Sequence, residues 1–174
     1  AVLRPIADVP SIRLVSVGSA SELEAAARRE APEADVIVMA AAVADFRADE
    51  VAEGKIRKED RPGEPPSLIL VENPDILATL SQLKTNRPAL VIGFAAETEK
   101  VIEHAVAKRA RKGCDWIVAN DVSPATGVMG GDLNTVHLIS REGQEDWPLL
   151  PKQAVAERLA RRIADHFSTP KAAE

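Results

Sequence analysis

Apolar residues occur as short unbroken runs separated by amphipathic segments of helix length through the first two-thirds of the chain. Two runs, VIVMAA at 36–41 and ALVIGF at 89–94, contain no polar position. Such runs are typical of strands buried on both faces of a parallel sheet, so 36–41 is predicted to be a central strand. Further strands are predicted at 12–17, 67–71 and 115–119.

Helices are predicted between these strands, at 19–30 with Ser19 or Ser21 as the cap, from Pro74 onward, and at 97–112 ending at Gly113. The chain closes with a hairpin of strands at 135–140 and 146–150, turning at 142–143, and a helix at 151–167. The pattern predicts an α/β, Rossmann-like doubly wound fold. Its sheet is mainly parallel, with helices on both faces and a C-terminal β-hairpin appendage.

The segment 44–66 is rich in charges and contains three prolines, and it is predicted to be a long loop. Long loops in small domains usually act as lids or binding loops. A disordered insertion is the alternative interpretation.

Composition fits a single domain over 1–174, with a flexible tail at 168–174. The net charge of −5 and an aromatic content of 3% without tyrosine argue against nucleic-acid binding. No apolar run is long enough to span a membrane, and the first residues lack a signal-peptide pattern. The single cysteine, Cys114, is interpreted as a packing residue in a reducing compartment, so a cytoplasmic location is expected.

Neither of the two common glycine-rich phosphate-binding fingerprints occurs in the chain. A ligand site is instead predicted beyond the carboxyl ends of the strands, where open α/β sheets bind ligands. Asp45 follows the alanines that end the 36–41 run, and it suits a ribose or Mg²⁺, with a loop-capping role as the alternative. Lys55 suits a phosphate or a developing oxyanion, with a solvated lysine as the alternative.

The other candidates lie further along the chain. In the predicted helix beginning at Pro74, the backbone N–H groups of 75–77 are available to an anion. Phe94 is either a core residue or a cover for a base, and Lys108 and Lys112 share a helix face that is either solvated or a cation clamp. Asn120 and Asp121 follow a predicted strand at the same edge, where they are candidates for substrate binding.

Five segments together resemble a known family: AAAVADFR at 40–47, GKIRK at 54–58, NPDIL at 73–77, GFAAET at 93–98 and KGCDWIVANDVS at 112–123. They resemble phosphopantothenate–cysteine ligase, the synthetase part of the bacterial coenzyme A biosynthesis flavoprotein. The resemblance extends from about residue 15 to residue 167, nearly the whole chain.

The resemblance implies a ligase that joins cysteine to 4′-phosphopantothenate through an acyl-cytidylate, using CTP and Mg²⁺ or Mn²⁺. It also implies a homodimer formed through 120–150, and a fused flavin-dependent decarboxylase domain in the native protein that is not part of this chain. By resemblance Lys55 is the catalytic lysine of a flap and Asp45 lies at the ribose or the cation. The remaining nucleotide contacts implied by the resemblance are Met39, Ala40, Ala41, Pro74, Asp75, Ile76, Leu77, Phe94, Lys108 and Lys112.

One part of the family pattern is missing. The family's domain begins with a glycine-rich strand, turn and helix, and nothing in 1–17 matches it, so the chain is expected to be truncated at its N-terminus. Two alternatives to the ligase follow. One is a catalytically incomplete fragment that dimerises or binds nucleotide, and the other is an unrelated α/β domain that uses ATP or a dinucleotide.

Overall fold

A computed structural model describes residues 11–50, 54, 67–123 and 131–168. The chain divides into two compact units, the first comprising 1–30 and 42–75 and the second comprising 31–41 and 76–174. In chain order the elements are α1 (Ala20–Glu30), a 3₁₀ turn (Ala31–Glu33), β1 (Val36–Met39), β2 (Phe46–Ala48), β3 (Leu70–Glu72), α2 (Ile76–Ser81), β4 (Leu90–Glu97), α3 (Val101–Lys112), β5 (Trp116–Asp121), β6 (Leu133–Ile139), β7 (Gln144–Pro151) and α4 (Lys152–Ser168).

The second unit is built on a five-stranded sheet with the order β1-β4-β5-β6-β7. The pairs β1–β4 and β4–β5 are parallel, whereas β5–β6 and β6–β7 are antiparallel. The hairpin predicted near the C-terminus therefore continues the main sheet. Its turn contains Gly143 at φ 141°, a conformation that favours glycine.

Helices cover both faces of this sheet, as the sequence predicts. On one face, Val155 and Leu159 of α4 pack on a cluster that includes Trp116 and Trp147. On the other face, Ala105 of α3 packs with residues of β4 and β5, and Leu77 of α2 lies against the same cluster. The α/β fold class is confirmed.

The predicted end of α3 is also confirmed. Gly113 has a left-handed φ of 74°, and its N–H donates to the carbonyl of Arg109 at 2.9 Å. The start of α3 is Val101, four positions later than the predicted residue 97, because β4 continues to Glu97.

The first unit contains α1 and a two-stranded antiparallel sheet of β2 and β3. Ser19 caps α1 as predicted, its hydroxyl accepting the N–H of Glu22 at 3.2 Å. The strand β2 lies inside the segment that was predicted to be loop. The prediction missed it because three residues are too few to show a period.

The prediction of a strand at 12–17 is wrong. These residues adopt no regular structure and are exposed, with Leu14 81% accessible, since no described strand offers them a pairing partner. The run 36–41 does form a strand, but it ends at Met39, and β1 is the outermost strand of the sheet order with Val38 44% exposed. An unbroken apolar run thus predicted the strand correctly and its central position wrongly.

Other boundaries also differ from the prediction. α2 begins at Ile76 instead of Pro74, β3 begins at Leu70, and Asn120 and Asp121 belong to β5 instead of following it. Residues 169–174 of the predicted flexible tail lie outside the described residues, whereas Ser168 is the last residue of α4. No helix in the described part of the chain is long and apolar enough to cross a membrane.

Candidate functional site

The carboxyl edge of the five-stranded sheet is stepped. Met39, the last residue of β1, pairs with Gly93, whereas β4 and β5 continue to Glu97 and Asp121, which are paired with each other. Beyond Met39, therefore, β4 has no β1 partner for its last residues. The step leaves strand backbone and small side chains accessible at the place where a ligand was predicted.

The alanines that follow β1 lie at this step. Met39 is half-buried, whereas Ala40 and Ala41 are exposed. Their methyl groups leave the backbone open to close approach by another molecule, as the sequence predicted.

Gly93 sets how closely α2 approaches the sheet. A Cβ at this position would overlap the side chain of Leu77 and lie 2.9 Å from Cδ1 of Ile117. Glycine is therefore required for Leu77 to pack directly on the strand, which brings the start of α2 to the end of β1.

Phe94 and Leu77 lie on opposite faces of the sheet. Phe94 is half-buried and packs on the cluster beneath α4, whereas Leu77 packs on the cluster beneath α3. Phe94 is therefore partly a core residue, the first of its two predicted interpretations. A single ligand that touches both residues must lie across the edge of the sheet instead of over one face.

Two carboxylates lie side by side at the ends of β4 and β5. Glu97 contacts His104 of α3, with Oε2 3.3 Å from Nδ1, and sequence reasoning missed both residues. The backbone N–H of Ser123 donates to Asp121 at 2.7 Å and, with the Ser123 hydroxyl, lowers the pKa of Asp121 below its ordinary value of 3.8. Asp121 is therefore ionised at neutral pH.

Lys112 lies at the opposite end of the sheet from these carboxylates. Because α3 connects two parallel strands, it runs back from the carboxyl edge to the amino edge, and Lys112 is its last residue. Its carbonyl is 3.5 Å from Nε2 of Gln82, just beyond α2. Lys108 lies one turn earlier, and both residues are half-buried.

In the first unit, Asn73 joins the segment before α2 to the segment after the alanines. Its side-chain amide donates to the carbonyl of Ala44 at 2.8 Å, and its N–H donates to the carbonyl of Asp45 at 2.8 Å. Asn73 therefore links the two segments of this unit. The bonds bring Asp45 next to Pro74 and Asp75, three candidates that the sequence placed far apart.

Arg47 also bonds to the segment around Asn73, and sequence reasoning missed this residue. Its Nη1 donates to the carbonyl of Glu72 at 2.6 Å and to Oδ1 of Asn73 at 3.3 Å. The side chain of Asp45 is exposed, as a contact to a ligand requires. Lys55 lies outside the described residues.

Comparisons with known proteins identify the family. The model of the DNA/pantothenate metabolism flavoprotein C-terminal domain matches residues 3–167. The coenzyme A biosynthesis bifunctional protein CoaBC of Escherichia coli (strain K12) is 40% identical over 158 residues, covering 91% of this chain and 39% of that protein. This chain therefore spans about two fifths of that relative's length.

Solved structures share the fold. The crystal structure of the C-terminal domain of CoaBC superposes with a TM-score of 0.68 at 32% identity, covering 88% of this chain and 65% of that chain. A mutant of Cab2 in complex with phosphopantothenate-cysteine superposes with a TM-score of 0.60 at 18% identity, covering 90% of this chain and 55% of that chain. The family match, the identity to CoaBC and the shared fold lead to one conclusion: the chain belongs to the DNA/pantothenate metabolism flavoprotein C-terminal domain family.

Proposed function

We propose that this chain is the domain that ligates cysteine to 4′-phosphopantothenate, with CTP as the energy source, in coenzyme A biosynthesis. The observation that carries the proposal is the stepped edge, where exposed alanines follow β1 and the ends of β4 and β5 project beyond it. The similarity to CoaBC, and the presence of phosphopantothenate-cysteine in the Cab2 complex, support this choice of substrates. In the native protein the domain is fused to a flavin-dependent decarboxylase and acts in the cytoplasm.

The proposed reaction has two steps. First, a carboxylate oxygen of 4′-phosphopantothenate attacks the α-phosphorus of CTP, and the bond to the bridging oxygen breaks as pyrophosphate leaves. The amine of cysteine then attacks the acyl carbon of the acyl-cytidylate, an amide forms, CMP leaves and the ammonium proton passes to solvent. Both steps build up negative charge on oxygen in the transition state.

Positively charged side chains are the groups that such charge requires. The proposal assigns Lys55 to the α-phosphoryl oxygens, because a cation aimed at developing charge lowers the barrier more than one that binds ground state and transition state equally. It assigns Met39–Ala41 and Phe94 to the cytidine. Lys108 and Lys112 remain predicted contacts of the other phosphates, although Lys112 lies at the amino edge of the sheet. The N–H groups of Asp75, Ile76 and Leu77 complete the phosphate contacts, and Asn120 and Asp121 are assigned to the substrate.

The described residues fit a cation held mainly by the nucleotide. They contain no group of three or more histidine, cysteine, aspartate or glutamate side chains that would form a cage of protein ligands. Mg²⁺ usually retains water and uses one or two carboxylates with substrate phosphates, and Mn²⁺ accepts the same oxygen ligands. The exposed carboxylate of Asp45 suits that role, in which the cation would neutralise phosphate charge.

A second candidate function is assembly through the 120–150 region. Leu133 at the start of β6 and Leu149 in β7 are 46% and 59% exposed, and β7 is an outermost strand of the sheet. Apolar side chains along an outer strand favour contact with a second copy. Formation of this homodimer does not depend on turnover.

Calorimetric titration of CTP, and separately of ATP, in the presence of Mg²⁺ tests the nucleotide assignment. We expect saturable CTP binding that ATP does not reproduce and that Lys55→Ala weakens at least tenfold. Lys58→Ala, which removes the same charge three positions away, is the matched control and should leave CTP affinity within twofold. Mass spectrometry of reactions containing all three substrates then detects phosphopantothenoylcysteine.

The outcomes separate the alternatives. Equal affinity for ATP and CTP would favour the unrelated nucleotide-binding domain and would contradict the proposal. CTP binding without product would favour the nucleotide-binding fragment, and a dimer that binds no CTP would leave assembly as the function of this chain.

A further inference from the structure

A cavity of about 500 Å³ lies at the amino edge of the five-stranded sheet, away from the stepped edge. Its walls come from the end of α3, the segment leading into β5, the β6–β7 turn and the end of α4. The volume is within the range of sites that bind small organic molecules. Neither the resemblance nor the proposed ligase reaction assigns a function to it.

Two guanidinium groups in the cavity have no acidic partner among the residues that the structure describes. Arg109 of α3 and Arg141 of the β6–β7 turn both line it, and neither forms an ion pair or a side-chain hydrogen bond with any described residue. Nε of Arg109 is buried and has no hydrogen-bond partner in the described structure.

Two carboxylates also line the cavity. Asp115 accepts the guanidinium of Arg87 at 2.8 Å and the N–H of Val91 at 2.7 Å. The Ser140 hydroxyl and its own N–H lower the pKa of Glu142. In the described part of the chain, neither acid forms an ion pair with Arg109 or Arg141.

The rest of the lining is mixed. Ala110 is exposed, whereas Trp116 and Cys114 are each only 2% exposed, and the ring of His166, which also lines the cavity, stands edge-on to Trp116 with 5.3 Å between the ring centroids. Arginine forks match the oxygens of phosphate in a bidentate geometry.

We propose that this cavity, the amino-edge cavity, binds a small phosphomonoester whose phosphate is held by Arg109 and Arg141. It is separate from the proposed cytidine contacts Met39–Ala41 and Phe94 at the carboxyl edge. Lys108 and Lys112, the predicted phosphate contacts of the same helix, do not line it, and the carbonyl of Lys112 lies beside Gln82. A ligand in this cavity should therefore bind without displacing CTP.

Calorimetry with three probes, inorganic phosphate, phenyl phosphate and benzoate, tests the proposal in the intact chain. Inorganic phosphate and phenyl phosphate should both bind more tightly than benzoate, because each presents several oxygens and two negative charges to the two guanidinium groups. The affinity for phenyl phosphate should fall at least tenfold in Arg109→Ala and in Arg141→Ala. Arg111→Ala is the matched control: it lies in the same last turn of α3 with the same charge, is exposed and does not line the cavity, so affinity should stay within twofold.

A competition measurement locates the bound probe further. The affinity for phenyl phosphate should be unchanged when CTP is present in excess. Because Arg141 lies in an exposed turn, Arg141→Ala tests the proposal even where Arg109→Ala fails to fold. Absence of saturable binding, equal loss in Arg111→Ala, displacement by CTP, or tighter binding of benzoate would each overturn the assignment.

Discussion

The two edges of the five-stranded sheet are built differently. At the amino edge, Arg87 donates to the carbonyls of Ser81 and Pro88 and to Asp115, and Asp115 accepts the buried N–H of Val91. At the carboxyl edge, the strands end at different levels and exposed alanines follow β1. The first edge holds strands and helices together, whereas the second leaves backbone accessible, so the two edges should respond differently to substitution.

The largest effect on stability is expected at the amino edge. Asp115→Ala should lower the free energy of unfolding by about 2 kcal/mol, because it leaves the N–H of Val91 buried without an acceptor and Arg87 without its partner. Asp115→Asn keeps an oxygen for Val91 and should cost less. Urea denaturation measures both variants, and an equal loss in the two would show that the hydrogen bond to Val91 contributes little.

A loss of comparable size is expected at Gly93, where the packed sheet meets the stepped edge. Gly93→Ala should lower the free energy of unfolding by about 1–3 kcal/mol, the usual cost of overpacking, because the new Cβ would overlap Leu77. The loss should shrink when Leu77→Ala is already present. A double-mutant cycle measures this coupling, and strictly additive losses would contradict the proposed contact.

Beyond Met39, substitutions should change ligand binding instead of stability. Ala41→Leu should leave the free energy of unfolding within about 0.5 kcal/mol of the parent, because Ala41 is exposed, yet weaken CTP binding about tenfold by blocking approach to the backbone. Ala160→Leu, on an exposed position of α4, is the control for adding the same side chain. Unchanged CTP affinity in Ala41→Leu would show that the nucleotide does not bind against these alanines.

The smallest effect is expected from the pH dependence of Asp121. Its pKa in the folded chain lies below 3.8 because of the hydrogen bonds from Ser123, so its contribution to stability is present above that value and is lost as the pH falls through the folded pKa. As the pH falls from about 5 to about 2, the free energy of unfolding should therefore decrease slightly less in Asp121→Asn than in the parent. Thermal denaturation across this range measures the difference, and Glu99→Gln, an exposed carboxyl, serves as control.

The sequence was sufficient where the signal is local. The strands β4 and β5, the end of α3 at Gly113 and the hairpin turn at Gly143 follow from apolar runs and from glycines with left-handed backbones. It was insufficient where the outcome depends on a neighbour. The pattern of 36–41 reports how apolar a strand is, not which strands pair with it, and 12–17 remains irregular for the same reason.

The candidate site shows the same division. Asp45 and Phe94 were identified from residue type and from their position after apolar runs. The hydrogen bond from Asn73 to the carbonyl of Ala44 was not predicted, because an asparagine side chain before a helix can either cap it or donate to a distant carbonyl. Arg109 and Arg141 come together only through the packing of α3 against the hairpin, so no spacing in the sequence could indicate the amino-edge cavity.

The parallel pairing of β1 with β4 also has a consequence for folding. The hairpin β6–β7 forms by closing a loop of only a few residues. Pairing Met39 with Gly93 instead requires closure of a much longer loop, formed by the chain between them. Loop-closure entropy therefore makes β1 a late strand to join the sheet and an early one to leave it. Hydrogen exchange should accordingly be faster at the amides of β1 than at those of β5. The strand that precedes the alanines should thus also open most readily, so the proposed nucleotide binding would compete with local unfolding of β1.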